Sequence, residues 1–359
     1  MSQNPTSQRP WYIENLRAEV RGYHARPAKK LKPQPPPADP EDSRYLFTVC
    51  TGNRWMELGE REPDPKMLFG EFWHQGELCI LFADTNLGKS VLAVQIGNSI
   101  SRGLPIAPFA LGAKPSNVLY IDFELSAKQF YLRYTHPQGN YDFTDQFFRA
   151  QFNTNTGECG NFSTYDEFII AGLEYKIKQL RATVLIIDNI TCLRGGTENA
   201  SVALSLMKSL KQLKTDYNLS ILVLAHTPKR RNPGSPLSAD DLHGSKLLIN
   251  FADSAFAIGK SSTDSNLRYL KQIKQRSTAQ VYGEGNVCLC RIQMPGNFLH
   301  FEFEGNSPER HHLRNRTRIN HQIVAKKVAE LAAKGLSQRH ISRELNVALG
   351  LVNKLMPRG

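Results

Sequence analysis

Apolar runs and mixed stretches alternate along the chain from residue 78 to about 303. The runs Leu78–Phe82, Val118–Phe123, Phe147–Phe152, Val184–Asp188, Ser220–Ala225 and Ser254–Ile258 are short and closed by polar or turn residues, and they predict buried strands. Between them, Ser90–Arg102, Ala127–Thr135, Ser163–Leu180, Ala200–Tyr217 and Ser245–Phe251 carry apolar positions at helical spacing. Ser163 is a cap candidate for the third helix, with Asp166 and Glu167 in its first turn. Strand and helix alternation predicts an α/β fold with a mostly parallel sheet. Arg268–Gln275, Val287–Gln293 and Phe298–Phe303 follow without intervening helices and predict an antiparallel run.

The flanks differ from this middle. Residues 1–45 are polar and proline-rich, with a basic extended stretch from Lys29 to Pro37. They read either as a disordered tail or as an arm that docks on a neighbouring subunit or on DNA. Residues 46–77 lead into the first strand through the Pro63-Asp64-Pro65 turn. Beyond the last strand, Ile323–Ala332 has a helical apolar period, Ser337 is placed to cap a short helix with Ile341 and Leu345 on its apolar face, and Val352 and Leu355 anchor another. The expected domains are therefore 1–45, 46–305 and 306–359.

Strand ends carry the candidate chemistry. Leu78–Phe82, a loop, Gly88-Lys89-Ser90 and an apolar helix give the strand–loop–helix order of a phosphate-binding P-loop. Ala83, Asp84, Thr85, Asn86, Leu87 and Gly88 would wrap phosphate with backbone N–H groups, Lys89 would reach the β and γ phosphates, and the Ser90 hydroxyl would bind Mg²⁺. Ala83 stands where the motif has its first glycine, so a changed loop or modest strain is expected there. Glu124 follows the second strand and is placed to polarise an attacking water, although on its own it would read as a carboxylate near a helix start. Asp188 closes an apolar run and would hold Mg²⁺ through water. His226 ends the next strand and is placed to sense the γ phosphate, or else simply caps the strand. Lys229, Arg230 and Arg231 form a basic loop that reads as a DNA-contacting or a solvated loop. Lys274 and Arg276 share one strand face and suit a neighbour's phosphate, or are ordinary surface cations.

Charge adds one distinction. The chain carries a formal +12, and residues 308–359 hold eleven Lys and Arg against three acidic residues, +8 of that total. A basic helical tail suits nucleic acid. Six cysteines lie at 50, 79, 159, 192, 288 and 290, without paired zinc spacing, and suit a reducing, cytoplasmic setting. Cys288 and Cys290 read as small core residues on one strand face.

In this order, Gly88-Lys89-Ser90, Glu124, Asp188, His226 and Lys274-x-Arg276 resemble the RecA-like ATPases, and among them the RepA-type hexameric replicative helicases and AAA-family ATPases of plasmids and mobile elements. The resemblance covers residues 60–303. It implies a RecA-like P-loop core, ATP and Mg²⁺ as cofactors, and a homo-oligomer, possible as a hexamer. In the site, Glu124 would be the catalytic base, His226 the coupling residue and Arg276 a finger from a neighbouring subunit. No arginine lies between Ser245 and Arg268, where some relatives place a finger. The tail is similar to resolvase-type helix-turn-helix domains, which would present Gly350, Asn353 and Lys354 to the major groove and Arg339 and Arg343 to the backbone. These features together imply a DNA-dependent ATPase, helicase or remodelling motor in replication, mobilisation or transposition of a mobile element; the alternatives are an ATP-switch regulator that loads or targets a partner without translocating, and a nucleotide-binding protein whose tail recruits another protein.

Overall fold

The computed structural model describes residues 47–152, 162, 164–190, 200–227, 234–242, 245–313, 321–345 and 347–356. The basic loop Lys229–Arg231 and the arm 1–45 lie outside these residues. The chain forms two units, Met1–Asp64 and Pro65–Gly359. In the first, helix α1 (Gly52–Arg61) is capped by Thr51, whose hydroxyl accepts the Arg54 amide.

The second unit begins with a small hairpin, β1 (Met67–Phe69) and β2 (Trp73–His74), and continues into β3 (Leu78–Ala83) and α2 (Lys89–Arg102). Next come β4 (Val118–Asp122), α3 (Ala127–Arg133), the hairpin β5 (Thr135–His136) and β6 (Gly139–Asn140), and β7 (Phe147–Gln151). Helix α4 (Tyr165–Leu180), β8 (Val184–Asp188), α5 (Ala200–Asp216), β9 (Ser220–His226) and α6 (Ser245–Phe251) follow. The run closes with β10 (Ser254–Lys260), β11 (Leu267–Lys274), β12 (Val287–Gln293) and β13 (His300–Ser307).

Among the described residues, nine strands form one sheet in the order β13-β12-β11-β10-β3-β9-β8-β4-β7. From β10 to β7 every pairing is parallel, and β11, β12 and β13 add antiparallel strands at one side. The fold is therefore the α/β, parallel-dominated sheet that the apolar runs predict. Alternation along each strand divides the core. Leu78, Ile80 and Phe82 face α4 and α5, whereas Cys79, Leu81 and Ala83 face α2 and the aromatic group of Phe69, Phe72 and Phe109. Helix α2 is buried nearly all round, its polar Gln95, Asn98, Ser99 and Ser101 included.

Several boundaries differ from expectation, among them β13, which runs His300–Ser307 rather than Phe298–Phe303. Helix α4 is capped by Thr164, whose hydroxyl accepts the Glu167 amide, so it starts two residues after Ser163. Helix α3 stops at Arg133 because the chain turns at Tyr134 into the β5–β6 hairpin. After β13, a single 3₁₀ turn at Glu309–His311 is tied to the sheet by buried contacts: Glu309 receives Lys271 and Tyr269, and His312 meets Ser261. The chain then forms α7 (His321–Ala333), α8 (Gln338–Glu344) and α9 (Leu349–Leu355), which share a small core of Val328, Ile341 and Val352. Ser337 caps α8 through the His340 amide. No helix among the described residues is long and apolar enough to cross a membrane.

Candidate active site

Parallel strands place their carboxyl ends along one edge of the sheet, where an open α/β fold presents its chemistry. Register sets the neighbours there: Ala83 lies opposite His226, and Asp122 opposite Asp188. The residues after these strand ends meet in one cluster.

The loop after β3 holds no strain at Ala83, which is the last, buried residue of the strand. Left-handed backbone occurs instead at Asn86, φ 63°, and Gly88, φ 97°. The glycine requirement of this loop therefore falls on Gly88, and alanine at 83 needs no altered geometry. A Cβ on Gly88 would also come within 2.5 Å of Ile292 Cδ1 and 2.9 Å of Phe301 Cζ. Helix α2 begins directly after Gly88 with no side chain capping it, so its first amides face the loop.

Lys89 is only 7% exposed. Its ammonium donates to the carbonyls of Ala83 at 3.0 Å and Asp84 at 3.3 Å, and lies 3.1 Å from His226 Nδ1. Among the described residues it forms no ion pair. Burial pulls its pKa down, against the opposing pull of Asp188, Glu124 and Asp84.

These contacts assign the His226 tautomer. An ammonium only donates, so Nδ1 accepts and Nε2 carries the proton. That proton points to Glu124 Oε1, 3.2 Å from Nε2. Asn189 Nδ2 donates to the same carboxylate oxygen and lies 3.1 Å from His226 Nε2. Lys89, His226, Glu124 and Asn189 thus form one continuous polar chain from the phosphate loop to the end of β8.

Asp188 is buried at the base of this chain. Its carboxyl is pushed up from 3.8 to about 6: burial is the main cause, Glu124 and Asp122 add to it, and hydrogen bonds from Ser90 and Tyr120 hold it back. The Tyr120 hydroxyl donates to Asp188 Oδ2 at 2.5 Å. A hydroxyl and a buried carboxylate that is costly to ionise, with hard oxygen donors, fit a magnesium ion. The buried, unpaired ammonium of Lys89 beside an uncapped helix start fits phosphate.

Arg276 stands apart from this cluster. Lys274 pairs in register with Ala255 at the start of β10, and Ser254 pairs with Cys79 at the start of β3, so both cations lie at the opposite edge of the sheet. Arg276 Nη1 pairs with Asp253 Oδ1 at 3.3 Å, and Lys274 donates to the Ile249 carbonyl at 2.6 Å. Arg276 therefore does not join the cluster of its own chain. Arg339, Arg343, Asn353 and Lys354 are all solvent-exposed on α8 and α9.

Sequence reasoning missed Asn189, Tyr120 and Arg149. Asn189 was the most accessible of these, since it directly follows a strand-ending aspartate. Tyr120 is hidden as one more bulky residue in an apolar strand, and Arg149 lies on the edge strand β7 with no motif around it.

A family model described as an AAA domain matches residues 48–232, more than half of the chain. No curated protein matches the chain. Among solved structures, the crystal structure of a KaiC-like protein from the hyperthermophilic archaeon Pyrococcus horikoshii OT3 is 14% identical with a TM-score of 0.45, covering 64% of this chain and 91% of that one.

Proposed function

The chain belongs to the AAA-domain family, as a P-loop ATPase, and from that premise we propose that it is a DNA-dependent ATPase whose hydrolytic centre is the cluster of Lys89, Ser90, Glu124, Asp188, Asn189 and His226. The observation that carries the reading is the continuous contact from Lys89 through His226 to Glu124. Glu124 is the carboxylate positioned to take a proton from water attacking the γ phosphate. Lys89 brings an unpaired charge to the transferring oxygens, where low dielectric strengthens it. Asn189 and His226 both donate to Glu124 and so orient it. Mg²⁺ held by Ser90 and, through water, by Asp188 would neutralise phosphate charge. His226 leads straight into the basic loop Lys229–Arg231, so phosphate occupancy and that loop share one strand end.

The DNA assignment is supported by the +8 charge of residues 308–359 and by the exposure of Arg339, Arg343, Asn353 and Lys354 on a three-helix unit whose last two helices are joined by a short turn. In this reading α8 and α9 form a helix-turn-helix, and the protein acts as a RepA-like, homo-oligomeric motor in the replication or mobilisation of a mobile element. Arg276 would serve the neighbouring copy's site.

The test is ATP hydrolysis by the full chain with and without single-stranded DNA, paired with duplex binding across a salt series. The expected results are stimulation by DNA, and a shallower salt slope when residues 321–359 are removed. The cut is placed at 321 because Glu309 and His312 are buried in the core. Hydrolysis indifferent to DNA, with an unchanged salt slope after truncation, would overturn the DNA assignment and leave the ATP-switch alternative.

A further inference from the structure

Glu124 follows β4 in a short turn, and that turn is held from outside the catalytic cluster. Asp122 ends the strand with a fully buried side chain. Its Oδ1 accepts the amides of Glu124 at 3.0 Å and Leu125 at 2.9 Å. Its Oδ2 accepts Arg149 Nε at 2.9 Å and Nη2 at 2.8 Å. Arg149 belongs to the edge strand β7, opposite Tyr120 in register, and its guanidinium lies 4.7 Å from the centre of the Phe130 ring in α3. Arg149 Nη2 and Gln151 Nε2 both donate to the Leu125 carbonyl. The turn is therefore fixed through two amides on one side and one carbonyl on the other, before Ser126 caps α3 with a reciprocal Gln129 contact.

This arrangement exceeds what closing a turn requires. Asp122 lies beside Asp188 in register, and Glu124 follows two residues later. Three carboxylates so close repel one another. A guanidinium against Asp122 supplies the opposite charge at contact distance, and its planar fork fixes direction as well as charge. The Glu124 side chain is 37% exposed, so packing does little to hold it. Its position depends on its backbone and on the two donors at its tip.

We propose that Asp122 and Arg149 are positioning residues for hydrolysis: a buried brace that sets the Glu124 backbone so that its carboxylate meets Asn189, His226 and the attacking water. The proposal rests on Glu124 being the catalytic carboxylate. It adds a requirement reaching from the catalytic turn to the edge of the sheet, through a residue whose contacts are with Asp122, Leu125 and Phe130.

The test is a double-mutant cycle on the full chain, reading kcat, KM and ATP affinity for Arg149→Met, Glu124→Gln and the pair, with Arg149→Lys and Gln151→Ala alongside. Arg149→Met is expected to lower kcat about 10²-fold, as for a misplaced catalytic group, with ATP affinity unchanged to within about twofold. In the Glu124→Gln background the same substitution is expected to cost nothing further. Arg149→Lys, which keeps the charge but loses the fork, should fall between wild type and Arg149→Met, and Gln151→Ala should lower kcat less than either. If Arg149→Met does not fold, Arg149→Lys enters the cycle in its place. Equal losses in both backgrounds, or a change in KM with kcat intact, would overturn the brace while leaving Glu124 in place. An unchanged rate in Glu124→Gln alone would overturn the brace together with the reading on which it rests.

Discussion

The two edges of the sheet carry similar residues in opposite electrostatic conditions. At the amino-terminal edge, Asp253 accepts the Leu78 amide, the Lys214 ammonium and the Arg276 guanidinium, and Glu77 accepts the His74 amide and the hydroxyls of Ser254 and Ser277. Burial raises the Asp253 carboxyl, yet these partners bring it below the usual carboxylate range. At the carboxyl edge, Lys89 is buried against carbonyls and an imidazole, and Asp188 is pushed up to about 6. The amino-terminal edge satisfies its carboxylates within the chain; at the carboxyl edge Asp122 is paired with Arg149, but Lys89 and Asp188 hold charges that cost stability until a ligand compensates them. That asymmetry separates a structural network from a reaction centre more sharply than residue type does, since both edges contain Asp, Lys and Ser.

Removing charge should therefore have opposite consequences at the two edges. The largest effect is expected from Lys89→Met, which keeps the packed stem and deletes the cation. Hydrolysis should fall by about 10³-fold, as when a preorganised donor to a transferring oxygen is lost. The melting temperature should hold or rise, because no carboxylate partner is orphaned. A steady-state ATPase assay with a thermal melt checks both, and intact hydrolysis would remove Lys89 from the site.

Asp188→Asn comes next. Below pH 3.8 the carboxyl is protonated in both folded and unfolded chains, so it has no net effect on stability. Between 3.8 and about 6 only the unfolded chain ionises it, so stability declines as pH rises through that window. Above it the full cost of the buried charge applies, about 3 kcal/mol for a shift of this size. Without magnesium and nucleotide, Asp188→Asn should therefore be more stable than wild type at pH 7 by up to about 3 kcal/mol, with the gain vanishing near pH 4. Denaturant titrations at the two pH values measure this, and a gain that persists unchanged at pH 4 would contradict the buried-charge account.

Much of this contrast was legible in the chain before folding. The parallel core, the three trailing strands and the strand-end residues Glu124, Asp188 and His226 follow from apolar runs of strand length closed by a polar residue. The Ala83 question was misplaced because the motif marks a glycine by position, whereas positive φ falls three residues before Lys89, at Asn86, and again at Gly88. Asn189, Tyr120 and Arg149 were out of reach for another reason. Their roles arise from register between β4, β7 and β8, which are far apart in sequence, and local pattern carries no information on register across such distances.

The smallest effect is expected at the other edge. Lys214→Met removes one of three partners of the half-buried Asp253 and should destabilise the chain by about 1–3 kcal/mol. Turnover per folded molecule should be unchanged. A fall in turnover at constant folded fraction would mean that the two edges are less separate than their contacts indicate.

The central claim, that the polar chain from Lys89 to Glu124 is the hydrolytic centre, is tested most directly by single-turnover ATP hydrolysis in Glu124→Gln, with ATP binding measured on the same sample. The account predicts that binding is retained and that the chemical step slows by about 10²–10⁴-fold, the contribution of a positioned general base. Hydrolysis at the wild-type rate with wild-type binding would contradict it.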